Sequence, residues 1–101
     1  MGEAFGISKE ARKVADDYPG IAFLMGDPFK PHGSNFSVFD NYIHEPCYLM
    51  GIIAGHMSKE KKIGMVGGYP IGEVNRLFHA FMNGARSVDS SIEFKVTFIG
   101  S

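Results

Sequence analysis

The sequence lacks several features that would point to a particular class of protein. It has one cysteine, Cys47, which cannot form an internal disulfide and which we expect to be a small buried hydrophobe. Lysine and arginine occur in ones and twos, most densely at Lys59, Lys61 and Lys62, without the basic stripe that neutralises a run of phosphates. Nucleic-acid binding is therefore not expected.

Long apolar runs are also missing. The run over 49–55 is interrupted by His56 and Ser58, well short of the roughly 20 residues that span a membrane. Met1 is followed by Gly-Glu-Ala and helix-like sequence, so we do not expect a signal peptide within this stretch. The composition, 45% hydrophobic and 21% charged with a net charge of -1, is that of an ordinary globular protein.

Motifs for catalysis, metals and nucleotide cofactors are absent as well. No two histidines have the three- or four-residue spacing that a helical metal site needs; they are His32, His44, His56 and His79. The turn at Gly67 and Gly68 fails as a dinucleotide fingerprint because Tyr69 occupies a required glycine position. No serine lies in a nucleophile elbow. We therefore expect no enzyme activity, no metal and no cofactor.

The pattern over 45–87 reads as helix, strand, glycine turn and helix without a break. That order is the building block of a parallel α/β sheet, so an α/β fold is predicted. Over the whole chain we predict helices at 4–18, 42–57 and from Pro70 to Ala85, and strands at 21–25, 35–39, 63–66 and 92–99.

Three of these predictions concern burial. The first helix has an apolar stripe of Ala4, Ile7, Ala11, Val14, Ala15 and Tyr18. Its polar residues, Arg12 among them, are expected to face solvent. The strand at 21–25 is continuously apolar and is expected to be buried on both faces. The helix at 42–57 is apolar on more than one face and is expected to be largely buried.

Ligands of open α/β sheets lie beyond the carboxyl ends of the strands, and two predicted strands end in candidate binding residues. Asp27 follows the first strand, and Gly67, Gly68 and Tyr69 follow the third. A carboxylate accepts hydrogen bonds from N–H and hydroxyl groups, and the glycine turn offers backbone N–H groups near a helix start. Asp27 is equally typical of an Asx turn before Pro28, and the glycines of a plain tight turn.

The ordered motifs of the chain resemble one known family. They are Tyr-Leu-x-Gly at 48–51, Ser-Lys at 58–59 before Lys-Ile-Gly at 62–64, and Phe-x-x-Gly-Ala at 81–85, preceded by ADDYPGIAF and GSNFSVFDN. This combination is similar to the basic membrane protein family of ABC-transporter solute-binding proteins, which includes purine-nucleoside receptors. The resemblance covers nearly the whole chain.

The resemblance implies a partial type I periplasmic binding-protein fold, in which two α/β lobes close on a ligand. Residues 1–39 would end the first lobe and residues 40–101 would begin the second, so we expect a fragment of a longer domain. Asp27 matches an acidic residue of the family, and Ser34 and Asn35 match a Ser-Asn pair of one branch. A loop that bonds its own backbone is the alternative for Ser34 and Asn35.

The function implied is capture of a purine nucleoside or base in an interlobe cleft, with delivery to an ABC permease. The intact protein would be a lipoprotein outside the cytoplasm. Two alternatives remain open: a ligand-sensing regulator built on the same fold, and an α/β enzyme domain that binds a nucleotide cofactor.

Overall fold

The structure, a computed structural model, describes residues 1–3 and 6–100. It divides into two compact units, Met1–Asn41 and Tyr42–Ser101. The elements in chain order are β1 (Gly2–Glu3), α1 (Ser8–Asp17), β2 (Phe23–Gly26), β3 (Phe36–Phe39), α2 (His44–Met57), β4 (Lys62–Gly67), α3 (Gly72–Val88) and β5 (Glu93–Phe98).

The first unit is a parallel three-stranded sheet in the order β1-β2-β3. Met25 lies opposite Gly2 on one side and Val38 on the other. The predicted parallel α/β architecture is confirmed. The sequence did not predict β1, because two residues carry no periodic pattern of their own.

A small apolar core forms where α1 meets one face of this sheet. Ala15, Met25 and Phe36 are buried, and Ala11, Phe23 and Val38 pack against them. The Phe23 and Phe36 rings are stacked with centroids 6.2 Å apart. Leu24, whose side chain alternates to the other face, is 41% exposed. The prediction that this strand is buried on both faces is therefore wrong, since α1 covers only one.

The start and the faces of α1 differ from the prediction. The helix begins at Ser8, and Ala4 of the predicted apolar stripe lies outside the described residues. Val14 and Tyr18 of that stripe are exposed, whereas the side chain of Arg12 is only 19% exposed. Placing Arg12 on the solvent face was wrong, because the guanidinium is drawn to a carboxylate described below.

The second unit pairs β4 and β5 in parallel, with Met65 opposite Val96 and Gly67 opposite Phe98. The helix α3 packs on this pair through Phe78, whose ring centroid lies 5.8 Å from that of Phe98. Arg86, near the end of α3, lies 5.1 Å from the centre of the Phe94 ring. Phe78 of the predicted apolar repeat thus faces the sheet, whereas Ala85 of the same repeat lies against α2.

The helices α2 and α3 pack closely through small residues. Gly51 and Gly55 are the buried residues of α2, and Gly84 and Ala85 are those of α3. The prediction that α2 is largely buried is wrong, because its large side chains lie away from α3. Its most exposed apolar residues are Leu49 (61%), Met50 (58%), Ile53 (59%) and Met57 (74%).

Two further details concern the helix starts. Pro46 is the third residue of α2, in the first turn, where a missing N–H breaks no intrahelical hydrogen bond. Pro70 was predicted to open the following helix, but α3 begins at Gly72 with Ile71 as its N-cap.

In the part of the chain that the structure describes, no helix has the length and apolar character needed to cross a membrane.

Candidate functional site

The candidate site in the first unit is centred on Asp27, which directly follows β2. Its backbone N–H donates to the Phe39 carbonyl oxygen over 3.0 Å, so it continues the ladder between β2 and β3. The carboxylate thus lies at the carboxyl end of the central strand of a parallel sheet. Asp27 is only 4% exposed, and a solute can reach the carboxylate only if neighbouring residues move.

Three donors surround the Asp27 carboxylate. Ser8 Oγ and Arg12 Nη2 both donate to Oδ2, the latter over 3.0 Å. The Phe29 backbone N–H donates to Oδ1 over 3.0 Å, which closes an Asx turn across Pro28. The Asx turn is the structural alternative that the sequence offered for Asp27. It does not exclude a role in binding, which stays a prediction.

The charge of Asp27 follows from this environment. Burial raises the pKa of the carboxyl, but hydrogen bonds from Ser8, the Phe29 N–H and Arg12, together with the Arg12 charge, outweigh burial. The pKa of Asp27 is therefore held below its usual value. The carboxylate is ionised at neutral pH and acts only as a hydrogen-bond acceptor.

Arg12 is fixed in place by three contacts. Besides the bond to Asp27, Nε donates to Ser8 Oγ over 3.2 Å, and the guanidinium carbon lies 4.8 Å from the centre of the buried Phe36 ring. We call Ser8, Arg12 and Asp27 the Asp27 cluster. No sequence motif pointed to Ser8 or Arg12 as site residues, although their spacing of four residues at the start of a helix puts both on one face.

Ser34 and Asn35 lie at the other end of the same sheet. They precede β3, whereas Asp27 follows β2, so the length of a four-residue strand, about 13 Å, separates them. The Asn35 side-chain nitrogen lies 2.9–3.0 Å from the carbonyl oxygens of Ala15, Tyr18 and Ile21. Asn35 thus satisfies the end of α1 and the loop after it. A ligand contact by Ser34 or Asn35 stays a prediction.

The candidate residues of the second unit lie at the carboxyl end of β4. Gly67 ends the strand, and the carbonyl oxygens of Gly67 and Gly68 accept hydrogen bonds from Ile99 and Gly100 over 3.0 and 2.8 Å. Tyr69 is 42% exposed, and its carbonyl oxygen accepts from the Ile71 N–H. These residues form the connection to α3, and their role in binding stays a prediction.

Gly67 has a steric reason to be glycine. A Cβ there would lie 3.0 Å from atoms of both the Phe78 and Phe98 rings. Neither Gly67 nor Gly68 is among the glycines with positive φ, which are Gly6, Gly33 and Gly100. Close packing of two aromatic rings therefore explains Gly67.

The opposite end of the second sheet carries an open hollow of about 530 Å³. It is lined by Lys62, Ile63, Gly64, Glu93, Phe94 and Lys95. Because ligands of open α/β sheets lie at the carboxyl ends of the strands, this hollow is a poor candidate for the solute site.

Among residues 1–3 and 6–100, no three histidine, cysteine or acidic side chains come together as metal ligands would.

Comparison with known proteins agrees with the motifs. The sequence profile of the Bmp family, described as ABC transporter substrate-binding protein PnrA-like, matches residues 2–101. The chain therefore belongs to this family of ABC transporter substrate-binding proteins. The resemblance seen in the sequence is confirmed.

Three curated relatives align with nearly the whole chain. A purine-binding protein of Brucella abortus is 33% identical over 98 residues, which are 97% of this chain and 28% of that protein. The nucleoside-binding protein BmpA of Lactococcus lactis is 27% identical over the whole chain and 29% of its own length. TsgA13 of Haloferax volcanii, named as a candidate glucose-binding protein of an ABC transporter, is 34% identical over 26% of its length.

The chain thus spans between a quarter and a third of the length of these relatives. Their names include purine, nucleoside and glucose binding. The family is shared, whereas the named solutes differ from one relative to the next.

Proposed function

We propose that this chain contributes to the solute site of an ABC importer's substrate-binding protein, and that the solute is a purine nucleoside or a related base. The observation that carries the proposal is Asp27, an ionised carboxylate at the carboxyl end of the central strand β2. Ligands of open α/β sheets are bound at such ends. In the second unit, Gly67 ends β4 and Gly68 and Tyr69 follow it, so the three residues lie at the carboxyl end of that strand.

The chemistry of Asp27 supports a solute that donates hydrogen bonds. An ionised carboxylate accepts but cannot donate, so it suits sugar hydroxyls and the N–H groups of a purine. Ribose and glucose both carry such hydroxyls, which fits the nucleoside and glucose names among the relatives. The purine and nucleoside names of two relatives favour a nucleoside over a simple sugar.

The proposal includes a partner and a location. A substrate-binding protein of this family delivers its solute to a membrane permease, so the encoded protein would dock on an ABC permease from outside the cytoplasm, anchored as a lipoprotein. Protease treatment of intact cells tests the location. Digestion of the protein before lysis supports it, and protection until lysis contradicts it.

Calorimetric titration with adenosine, inosine, guanosine and glucose tests the binding proposal. The sample is the full polypeptide that the gene encodes, called the encoded polypeptide below. We expect at least one nucleoside to bind in the micromolar range and Asp27→Asn to weaken it by about tenfold to a hundredfold, the range for hydrogen bonds to a charged group. Asp17→Asn, at the exposed end of α1, is the matched control and should bind normally.

Two outcomes contradict the proposal. One is the absence of heat with all four solutes. The other is unchanged affinity in Asp27→Asn. If Asp27→Asn fails to fold, Asp27→Glu retains the charge and moves it by one methylene, and its affinity decides the same question.

A further inference from the structure

The Asp27 cluster contains two side chains that no sequence motif assigns to binding, Ser8 and Arg12. They lie one helical turn apart on α1, and both donate to the same carboxylate oxygen, Oδ2 of Asp27. The other oxygen, Oδ1, accepts the Phe29 N–H. Since each carboxylate oxygen accepts about two hydrogen bonds, Oδ2 is saturated and Oδ1 retains one acceptor position.

Resting on the function proposed above, we infer that Ser8 and Arg12 are positioning residues for solute recognition: they occupy Oδ2 of Asp27 and reserve Oδ1 for a hydroxyl or N–H of the solute. The two side chains act through Asp27, without a contact of their own to the solute. They determine which oxygen of Asp27 is available to the solute, and they keep the Asp27 carboxylate ionised.

The rigidity of Arg12 supports this role. Its guanidinium bonds Ser8 through Nε and Asp27 through Nη2, and it lies over the ring of Phe36, which is 2% exposed. An arginine held at two nitrogens and stacked on a ring loses little further freedom when a solute binds. The orientation of Asp27 is therefore set before the solute arrives, which lowers the entropic cost of binding.

Charge balance supports the role as well. Asp27 is 4% exposed, and a buried carboxylate without a cation takes up a proton. Arg12 comes from α1, and the continued β2–β3 register sets Asp40 beside Asp27. Burial opposes ionisation of Asp27, and the hydrogen bonds from Ser8 and the Phe29 N–H, together with the Arg12 cation, outweigh it. A neutral Asp27 would offer a hydroxyl in place of one acceptor.

The test measures ionisation and affinity separately in the encoded polypeptide. The carbon chemical shift of the Asp27 carboxyl is followed against pH without solute, and the affinity for inosine, adenosine and guanosine is measured from pH 5 to 8. In the wild type we expect Asp27 to remain ionised and the affinity to stay constant over this range.

Arg12→Met should raise the pH at which Asp27 takes up a proton. Its affinity should fall by at least about tenfold, and more at pH 5 than at pH 8. Arg12→Lys keeps the charge but not the second nitrogen contact, so it should restore the pH profile and only part of the affinity. Lys13→Met, next in the helix with its side chain 63% exposed, is the matched control. Ser8→Ala is the milder variant if Arg12→Met does not fold.

Three results would overturn the inference, and each can be distinguished from the others. If the wild type binds none of the nucleosides, the proposed function fails and the inference fails with it. If the wild type binds while Arg12→Met and Ser8→Ala keep its affinity and its pH profile, the inference alone fails. Lower affinity in these variants without a change in the Asp27 titration or the pH profile would assign them a structural role only.

Discussion

Gly51 of α2 and Gly84 of α3 lie directly against each other's helix backbone. A Cβ on Gly51 would collide with the carbonyl oxygen of Phe81 and lie 2.9 Å from its carbonyl carbon. A Cβ on Gly84 would meet the carbonyl group of Tyr48 in the same way, again 2.9 Å from the carbon. Only glycine at both positions lets the two helices approach this closely.

Alanine at either position should therefore destabilise the second unit. A clash between a methyl group and backbone atoms cannot be relieved by a rotamer change. We therefore expect each substitution to lower the free energy of unfolding by about 1 to 3 kcal/mol. Gly72→Ala is the control, because a Cβ there has nothing within 4 Å and α3 begins at that residue. Urea unfolding measures the three variants; equal stability of Gly51→Ala and Gly72→Ala would contradict the close crossing.

Gly67→Ala should also destabilise the second unit, by about 1 to 2 kcal/mol, because the new methyl group meets two aromatic rings. Gly64→Ala in the same strand meets nothing within 4 Å and should be nearly neutral. Combining Gly67→Ala with Phe78→Leu should cost less than the sum of the two single changes, because the smaller side chain makes room. Strict additivity in this double-mutant cycle would show that the Phe78 ring is not what excludes a side chain.

The elements that the sequence predicted well carry their signal locally. The stripe of α3, which includes Val74, Leu77, Phe78 and Phe81, repeats every three or four residues whatever it packs on, and α3 was found close to its predicted span. The position of Asp27 was equally local, since Gly-Asp-Pro marks the end of a strand.

The features that were missed depend on distant residues. Gly2 and Glu3 form β1 only because Met25 and Gly26 are beside them. Arg12 looked like a solvent-facing residue, because its Asp27 partner lies 15 residues further along the chain. The apolar content of α2 showed how much of its surface is apolar but not which face α3 would cover. Pairing and coverage arise from the fold, so one sequence does not display them.

The stability of the first unit should depend on pH through Asp27. Its folded pKa lies below the unfolded value of about 3.9, so its contribution is present at higher pH and is lost as the pH falls through that value toward the folded pKa. At pH 7, Asp27→Asn should cost about 2 to 4 kcal/mol, since it leaves Arg12 without its counter-charge.

The difference in stability between the wild type and Asp27→Asn should therefore shrink as the pH is lowered from about 5 to 3. Thermal unfolding at several pH values measures this difference. The thermal stability of Asp17→Asn should stay close to that of the wild type at every pH. A difference that stays constant with pH would mean that the Asp27 pKa is the same in the folded and unfolded chains.

Asn35→Ala should lower stability by about 1 to 2 kcal/mol, since three backbone carbonyl groups around the end of α1 lose their donor. Ser34→Ala is the neighbouring control and should be nearly neutral. Solute affinity measured in the same two variants separates the structural role from the predicted ligand contact. A loss of affinity in Asn35→Ala with unchanged stability would assign Asn35 to the solute.

A crystal structure of the encoded polypeptide with bound inosine tests most directly whether Asp27 accepts a hydrogen bond from the solute. We predict an inosine hydroxyl or N–H about 3 Å from Asp27 Oδ1, with Ser8 and Arg12 still on Oδ2. Inosine bound elsewhere, with the Asp27 carboxylate enclosed by Ser8, Arg12 and Phe29 alone, would contradict the claim.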